Sequence, residues 1–211
     1  MMEIKKFTFN PFQENTYVLY DESKEAIIVD PGCFNSSEEK QLTNFISENN
    51  LTPVKLVNTH AHIDHVLGNK FVADKYQIGL ALYDSEYPML KMAKTSADLY
   101  GVPYNESPEP SEFLKEGELL KFGNTALEII FVPGHAPDHL VFLNTSQNLL
   151  IAGDTLFKGS IGRTDLPGGN HEQLIDNIKE KLFTMDREVV VYSGHGDETT
   201  IGEEKANNPF F

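Results

Sequence analysis

The segment THAHIDH, residues 59–65, concentrates side chains that bind metals, with His60, His62, Asp64 and His65 inside six consecutive positions. The preceding run PVKLVNTH is largely apolar and predicts a strand that ends at His60. In extended backbone, residues two apart point to the same side, so His60 and His62 are expected to bind one ion at about 2.0–2.1 Å. A turn into the next helix would direct Asp64 and His65 at a second ion.

Three further ligand candidates follow apolar runs later in the chain. His135 lies in FVPGHAP, Asp154 in LLIAGDTLF and His195 in VVVYSGHGD. Strand ends that converge on one edge of an α/β sheet are where ligand sites form, so these side chains are expected to meet the first segment. The seven candidates are enough for two ions. One ion is expected to bind His60, His62 and His135, and the second ion Asp64, His65 and His195. Asp154 is expected to bridge the two ions.

This set of ligands predicts a catalytic centre with two divalent ions. Each ion keeps an open position for water, as catalytic sites do and structural zinc sites do not. Because no cysteine is among the ligands, the set favours Zn, Fe or Mn, and zinc is expected. Asp64 and Asp154 are the catalytic candidates, Asp64 to orient the attacking water and Asp154 to bridge the ions.

The pattern of hydrophobic residues predicts a layered α/β fold, because extended segments come in two batches, each with helices. Ser36 and Glu39 have the spacing of a capping box, which predicts the start of the first helix. Residues 101–112 are rich in proline and acidic residues and are expected to form a surface loop.

The composition limits the classes of partner. The 211 residues carry a formal net charge of −15, which repels phosphate backbones and argues against nucleic acid. Cys33 is the single cysteine, so no intramolecular disulfide forms, as in most proteins of a reducing compartment. No apolar run approaches the roughly 20 residues that span a bilayer, and residues 1–20 show no signal-peptide pattern. We therefore expect a cytoplasmic protein with a small-molecule substrate and no membrane partner, and the oligomeric state stays open.

Together, THAHIDH and the Gly-His, Gly-Asp and Gly-His pairs that end at His135, Asp154 and His195 resemble the metallo-β-lactamase superfamily. Within it, GDTLFKGSIGRTDLPGG and GHGDETTIGEEKANNPFF are similar to the short glyoxalase II-like hydrolases. The resemblance implies an αββα sandwich with the metal site at one edge between the two sheets. It implies a single domain over residues 1–211, without the additional C-terminal helical domain that binds glutathione in glyoxalase II. In that family the residues that match the seven candidates are the metal ligands, and metal-bound hydroxide hydrolyses a thioester or ester.

Residues near the ligands are candidates for supporting roles. Arg163 and Asp165 stand where the glutathione enzymes have a lysine and a tyrosine, so the resemblance makes them substrate-binding candidates. Arg163 can pair with an anionic substrate or with Asp165, and both interpretations stay open. Metal-bound histidines usually donate their second N–H to a carboxylate, so Asp30 is a candidate partner, and His139 resembles a second histidine near the site of some relatives. Two residues have roles that the sequence leaves open: Cys33 and His171.

Two other functions remain open. A mononuclear iron dioxygenase acting on a thiol persulfide, from a sister branch with a similar GRTD string, would use His60, His135 and Asp154 as a facial triad. The sequence GHAPDHL departs from the Gly-Cys that follows the histidine in that branch. A non-enzymatic metal-binding module would keep the ligands but lack an open metal position. A β-lactamase is disfavoured, because we see no export signal and the GRTDLPGG loop differs.

Overall fold

The computed structural model describes residues 1–211 as a mixed α/β chain with two six-stranded sheets. The chain divides into two compact units, residues 1–114 with 121–126, and residues 115–120 with 127–211. Each unit has its own cluster of buried apolar side chains. No helix in the chain has the length and hydropathy needed to cross a bilayer.

The sheet of the first unit runs in the order of the sequence from β1 to β6. The first three strands pair antiparallel, and β3 to β6 pair parallel. The carboxyl ends of β3, β4 and β5 therefore lie at one edge of this sheet. The six strands are β1 Glu3–Phe9, β2 Glu14–Tyr20, β3 Glu25–Val29, β4 Thr52–Val57, β5 Leu80–Tyr83 and β6 Pro110–Leu114.

Four helices complete the first unit, with a 3₁₀ turn, Asp84–Glu86, directly before the last of them. The strand β3 reads EAIIV and is buried at four of its five positions, as expected for a central parallel strand covered on both faces. The buried residues of α1, α3 and α4 join the same apolar cluster. The helices are α1 Ser36–Glu48, α2 Ile63–Val66, α3 Asn69–Tyr76 and α4 Tyr87–Tyr100.

Two local predictions in the first unit are wrong. The first helix is capped by Asn35, which has extended backbone and accepts hydrogen bonds from the backbone N–H groups of Ser37 and Glu38. The capping-box prediction at Ser36 and Glu39 therefore misses by one residue, since Asn is as strong an N-cap as Ser. The predicted loop over residues 101–112 is also too long, because its last three residues belong to β6, which pairs with β5.

The sheet of the second unit has the order β14-β13-β10-β9-β8-β7. Because β9 is antiparallel to both β8 and β10, and β10 is parallel to β13, the strands β8, β10 and β13 run in one direction. Their carboxyl ends therefore share one edge of the sheet. The strands are β7 Leu119–Phe122, β8 Thr125–Phe131, β9 Leu140–Asn144, β10 Leu149–Gly153, β13 Val190–Ser193 and β14 Thr199–Thr200, with a separate hairpin of β11 Leu156–Phe157 and β12 Ser160–Ile161.

Two helices pack in the second unit. Helix α5, His171–Asn177, continues into a π-helical segment, Ile178–Leu182, and α6 spans Ile201–Asn207. One apolar cluster contains the buried faces of both helices and of β10 and β13.

Candidate metal centre

The predicted ligands lie just beyond the carboxyl ends of strands, but the strand boundary before His60 and the sheet membership of the strands differ from the prediction. Strand β4 ends at Val57, three residues before His60, so the prediction that His60 ends a strand is wrong. Asp64 and His65 lie in the short helix α2. The expectation that all the strand ends share one sheet is also wrong, because β4 belongs to the first sheet and β8, β10 and β13 to the second.

Asp30 orients two predicted ligands in the first unit. Its Oδ2 lies 3.1 Å from Nδ1 of His65 and accepts a hydrogen bond of 2.6 Å from the Thr59 hydroxyl. The Thr59 oxygen lies 3.0 Å from Nδ1 of His60. Because the Thr59 hydroxyl already donates its hydrogen to Asp30, its oxygen accepts a hydrogen bond from Nδ1–H of His60. Both histidines therefore carry their proton on Nδ1, which leaves the lone pair of Nε2 for a metal ion.

The backbone around Asp30 is built to hold this carboxylate. Asp30 follows β3 directly and has φ of +49°, a left-handed conformation that Asp adopts more readily than most residues. Its N–H donates to the carbonyl of Val57, and its Oδ1 accepts the Thr59 N–H at 2.7 Å. Asp30, Thr59, His60 and His65 are at most 2% exposed. A strained, buried carboxylate held by this many bonds is typical of a functional site.

The ligand atoms of the first unit have separations that suit metal binding. Two atoms that bind one tetrahedral zinc ion at about 2.0–2.1 Å lie about 3.3 Å apart. Nε2 of His65 lies 3.6 Å from Oδ2 of Asp64. The rings of His60 and His62 are edge to face with centroids 4.7 Å apart, and one ligand atom of each lies within 4.8 Å of the other. Both pairs can therefore approach one ion each with small rotations.

In the second unit, one oxygen of Asp154 faces two histidines. Oδ2 of Asp154 lies 3.5 Å from Nε2 of His135 and 3.5 Å from Nε2 of His195. Asp154 and His135 are 6% and 2% exposed, and His195 is more open. These distances are close to the about 3.3 Å between two atoms that bind one ion, so the Asp154 oxygen can share an ion with either imidazole.

Hydrogen bonds also select the ring nitrogens of the second unit. Nδ1 of His135 lies 2.7 Å from the carbonyl oxygen of Arg163, so this nitrogen carries the proton and Nε2 has the lone pair. His139 has the opposite tautomer, because its Nε2 accepts the backbone N–H of Asp154 at 3.0 Å. Nε2 of His139 therefore binds the Asp154 backbone N–H and is not presented as a metal ligand. Gly162 permits this packing, since a Cβ there would lie 1.9 Å from the Asp154 carbonyl oxygen.

Arg163 and Asp165 form a bidentate ion pair. Nε and Nη2 of Arg163 donate to the two carboxylate oxygens of Asp165 at 2.8 and 2.7 Å, and these hydrogen bonds lower the pKa of Asp165 to about 2. Both side chains are mostly exposed. Since exposed ion pairs are weak, with a median of about 0–1 kcal/mol, the guanidinium can exchange Asp165 for an anionic ligand.

Several supporting residues were not predicted from the sequence. Asn58 and Thr59 directly precede His60, and this polar pair before a candidate ligand could have been recognised in the sequence. The side chain of Asn58 donates a hydrogen bond to the backbone carbonyl of His65 at 3.1 Å. Glu14 lies far away in sequence, yet its buried carboxyl is 4.0 Å from Nδ1 of His65. Burial raises the pKa of Glu14 well above its ordinary value, although His65 opposes the shift. Only the pairing of β2 with β3 brings Glu14 to this place.

Known proteins are similar to this chain in sequence and fold. A family model of the metallo-beta-lactamase superfamily matches residues 9–195. Hydroxyacylglutathione hydrolase GloC of Haemophilus influenzae is 35% identical over 213 residues, which cover 99% of this chain and 98% of that protein. The crystal structure of the BLEG-1 B3 metallo-beta-lactamase has a TM-score of 0.90 and 34% identity, with 99% of each chain covered. TTHA1623, solved in a di-iron-bound form, has a TM-score of 0.88 and 31% identity over 98% of this chain and 100% of that chain.

These similarities agree with the fold and with the donor atoms. The mixed α/β architecture predicted from the sequence is confirmed, and the buried histidines and carboxylates suit divalent metal ions. The family match spans most of the chain, and the curated relative spans nearly all of it. The chain therefore belongs to the metallo-beta-lactamase superfamily of metallohydrolases.

Proposed function

We propose that the chain is a binuclear hydrolase of thioesters of the hydroxyacylglutathione kind, with esters as a related substrate class and zinc as its metal. One observation carries the choice of two ions. Hydrogen bonds leave the lone pair of Nε2 for a metal ion in both His60 and His65, and Asp64 lies 3.6 Å from Nε2 of His65. Together with His135, His195 and Asp154, these donors outnumber the three protein ligands of one catalytic zinc ion, whereas a pair of ions about 3.5–4 Å apart can use them all.

The proposed division of the ligands is the one predicted from the sequence. When bound, two divalent ions would supply an activated water and polarise the acyl carbonyl. Neutral imidazoles and ionised carboxylates are the donors that such ions need, and the tautomers of three histidines already present Nε2. The proposed sets are His60, His62 and His135 for one ion, Asp64, His65 and His195 for the other, and Asp154 for both.

Other residues of the chain hold this machinery in place. Asp30 keeps the Nδ1 proton on His65 directly and on His60 through Thr59. His139 fixes the peptide of Asp154. Asp64 lies at the first turn of α2, where its carboxylate is proposed to orient the attacking water as a hydrogen-bond acceptor. A thiolate leaves without protonation, so the chain needs no general acid beside the leaving group.

The substrate class rests on the relative and on one cation. The Haemophilus influenzae relative is named a hydroxyacylglutathione hydrolase, and glutathione carries two carboxylates. Arg163 is proposed to bind one of them by exchanging its bidentate pair with Asp165. A cytoplasmic location is part of the same proposal, because thiol carriers stay reduced there and the chain has a single cysteine.

A mononuclear iron dioxygenase is the competing hypothesis. It would use only His60, His135 and Asp154 and would leave His65 without a ligand role. Yet Asp30 fixes the tautomer of His65 in the same way as Thr59 fixes that of His60. Hydrolysis of β-lactams is a second alternative, since the BLEG-1 structure shares 34% of its residues with this chain. Both alternatives predict different metals or substrates and can be assayed beside the proposal.

The test combines metal analysis with a substrate panel. Protein purified without added metal or chelator is expected to hold about two equivalents of zinc and to hydrolyse hydroxyacylglutathione thioesters. His135→Ala should lose metal and activity, whereas His171→Ala, which alters an exposed histidine at the start of α5, should keep both. About one equivalent of iron with oxygen uptake on a persulfide would overturn the proposal. So would turnover of a chromogenic β-lactam with no turnover of any thioester.

A further inference from the structure

Glu86 lies at the same sheet edge as the predicted ligands of the first unit. Strands β3, β4 and β5 are parallel neighbours, so the residues that follow their carboxyl ends converge. Asp30 follows β3, His60 follows β4, and Glu86 ends the 3₁₀ turn that follows β5. Glu86 is 1% exposed, although a buried carboxylate is costly unless it is paired or hydrogen-bonded.

The buried carboxylate of Glu86 holds the peptide between two predicted ligands. Its Oε2 accepts the backbone N–H of Ala61 at 2.8 Å, and Ala61 separates His60 from His62. Hydrogen bonds to an ionised acceptor are about twice as strong as neutral ones. This N–H belongs to the peptide that joins His60 to Ala61, so its orientation sets the Cα–Cβ direction of His60 directly and that of His62 through Ala61.

Residues that follow β3 and β5 hold the segment that follows β4. Beyond the end of β4, residues 58–62 belong to no strand or helix, so side chains take over part of the role of a sheet partner. Asp30, after β3, accepts the N–H of Thr59 at 2.7 Å, and Glu86, after β5, accepts the N–H of Ala61 at 2.8 Å. Two N–H groups of one segment are thus bound by carboxyl groups that follow the two neighbours of β4 in the sheet.

From this geometry we propose that Glu86 is a positioning residue for the His60–His62 pair and sets the affinity of that pair for a divalent cation. The inference rests on the proposed function, because it assumes that these two histidines bind metal. Glu86 does not touch the cation in this proposal. It acts through the Ala61 peptide.

A matched control separates positioning from simple stabilisation. Glu204 is also 1% exposed and also accepts a backbone N–H, that of Gly159 at 2.9 Å, but it lies in the second unit on α6. Removing Glu86 leaves the buried N–H of Ala61 without this acceptor, and removing Glu204 takes the acceptor from Gly159, Thr199 and Asn208, so both changes should lower stability. Only the loss of Glu86 should change the metal site.

The experiment measures metal binding rather than turnover. Apo forms of the full-length wild type, Glu86→Ala, Glu86→Gln and Glu204→Ala would compete with a chromophoric chelator for Zn²⁺ and would be titrated with Co²⁺, whose visible spectrum reports ligand geometry. Urea unfolding of each apo protein gives its stability. We expect Glu86→Ala to bind Zn²⁺ about 10–100-fold more weakly with an altered Co²⁺ spectrum. Glu86→Gln keeps an amide oxygen that can accept the Ala61 N–H and should recover the spectrum and part of the affinity.

The outcomes decide between the proposal and its failure. Folded Glu86→Ala with wild-type affinity and spectrum would overturn the positioning role, and so would a loss of affinity in Glu204→Ala as large as that in Glu86→Ala. If Glu86→Ala does not fold, Glu86→Asp, shorter by one methylene, takes its place with the same expected loss. A wild type that binds metal but hydrolyses no thioester leaves this inference standing and removes the proposed substrate, whereas a wild type that binds no metal overturns both.

Discussion

Replacing Asp30 with Asn is expected to weaken metal binding by changing the tautomers of two histidines. Asn tolerates the left-handed backbone at this position, and its amide oxygen can still accept the Thr59 N–H. Its NH₂ group then faces the Thr59 hydroxyl and Nδ1 of His65, where the carboxylate Oδ2 accepts two hydrogen bonds. Nδ1 of His65 and the Thr59 hydroxyl, which both donate to Asp30, would then accept from the amide. The Thr59 hydrogen becomes available to Nδ1 of His60. The ring protons of both histidines are therefore expected on Nε2, the nitrogen that must bind the metal.

The magnitude follows from the number of ligands that Asp30 serves. Removing one outer partner of a metal ligand typically costs about 10–100-fold in metal affinity. Asp30 serves His65 directly and His60 through Thr59, so the expected loss is about 10²–10⁴-fold, or about 2.8–5.6 kcal/mol at 25 °C. Thr59→Val removes only the route to His60 and should lose about 10–100-fold. Thr59→Ser keeps the hydroxyl and is the matched control.

The assay is competition for zinc between the apo protein and a chromophoric chelator, with urea unfolding to verify that each variant is folded. Nitrogen NMR of the imidazole rings reports directly which nitrogen carries the proton. In the wild type the proton should be on Nδ1 of His60 and His65, and in Asp30→Asn on Nε2. Zinc binding by folded Asp30→Asn within about threefold of the wild type, a difference of about 0.7 kcal/mol, would exclude this role of Asp30. Unchanged ring protonation would refute it equally.

Three further outcomes are expected. Arg163→Ala should raise KM for anionic thioesters severalfold while zinc content stays unchanged, and an equal rise for a neutral thioester would contradict the role in substrate binding. His139→Leu removes the acceptor of the Asp154 N–H and should lower zinc affinity by about 10–100-fold in chelator competition, and His139→Gln should restore part of it. Burial alone would raise the pKa of Asp21, but hydrogen bonds from neighbouring hydroxyl and backbone groups lower it to about 2. Because this folded value lies below the unfolded value of about 3.9, the carboxylate stabilises the fold above that pH and loses its contribution as the pH falls toward 2. Asp21→Asn should therefore flatten the pH dependence of the urea midpoint between about pH 2 and pH 4, and an unchanged slope would count against this account.

The ligand candidates could be read from the sequence because their chemistry resides in residue types and local spacing. Four candidate ligands within THAHIDH, and single candidates after three apolar runs, are local features that need no knowledge of packing. Hydrophobic periodicity was also sufficient for the α/β class. It was insufficient for boundaries, because Asn35 rather than Ser36 caps α1, and β4 ends before His60 rather than at it. Competing caps and hydrogen-bond partners set those ends, and they differ by little free energy.

Only the tertiary structure decided which groups orient the ligands. Asp30 meets His65 across 35 positions of the chain, and Glu86 meets the Ala61 peptide across 25. These contacts exist because β3, β4 and β5 are parallel neighbours whose carboxyl ends share an edge, and a sequence pattern does not encode strand order. The choice between Nδ1 and Nε2 as the protonated nitrogen depends on such distant acceptors. The sequence by itself therefore determined which residues are able to bind metal, and the fold determined which ring nitrogens are presented to it.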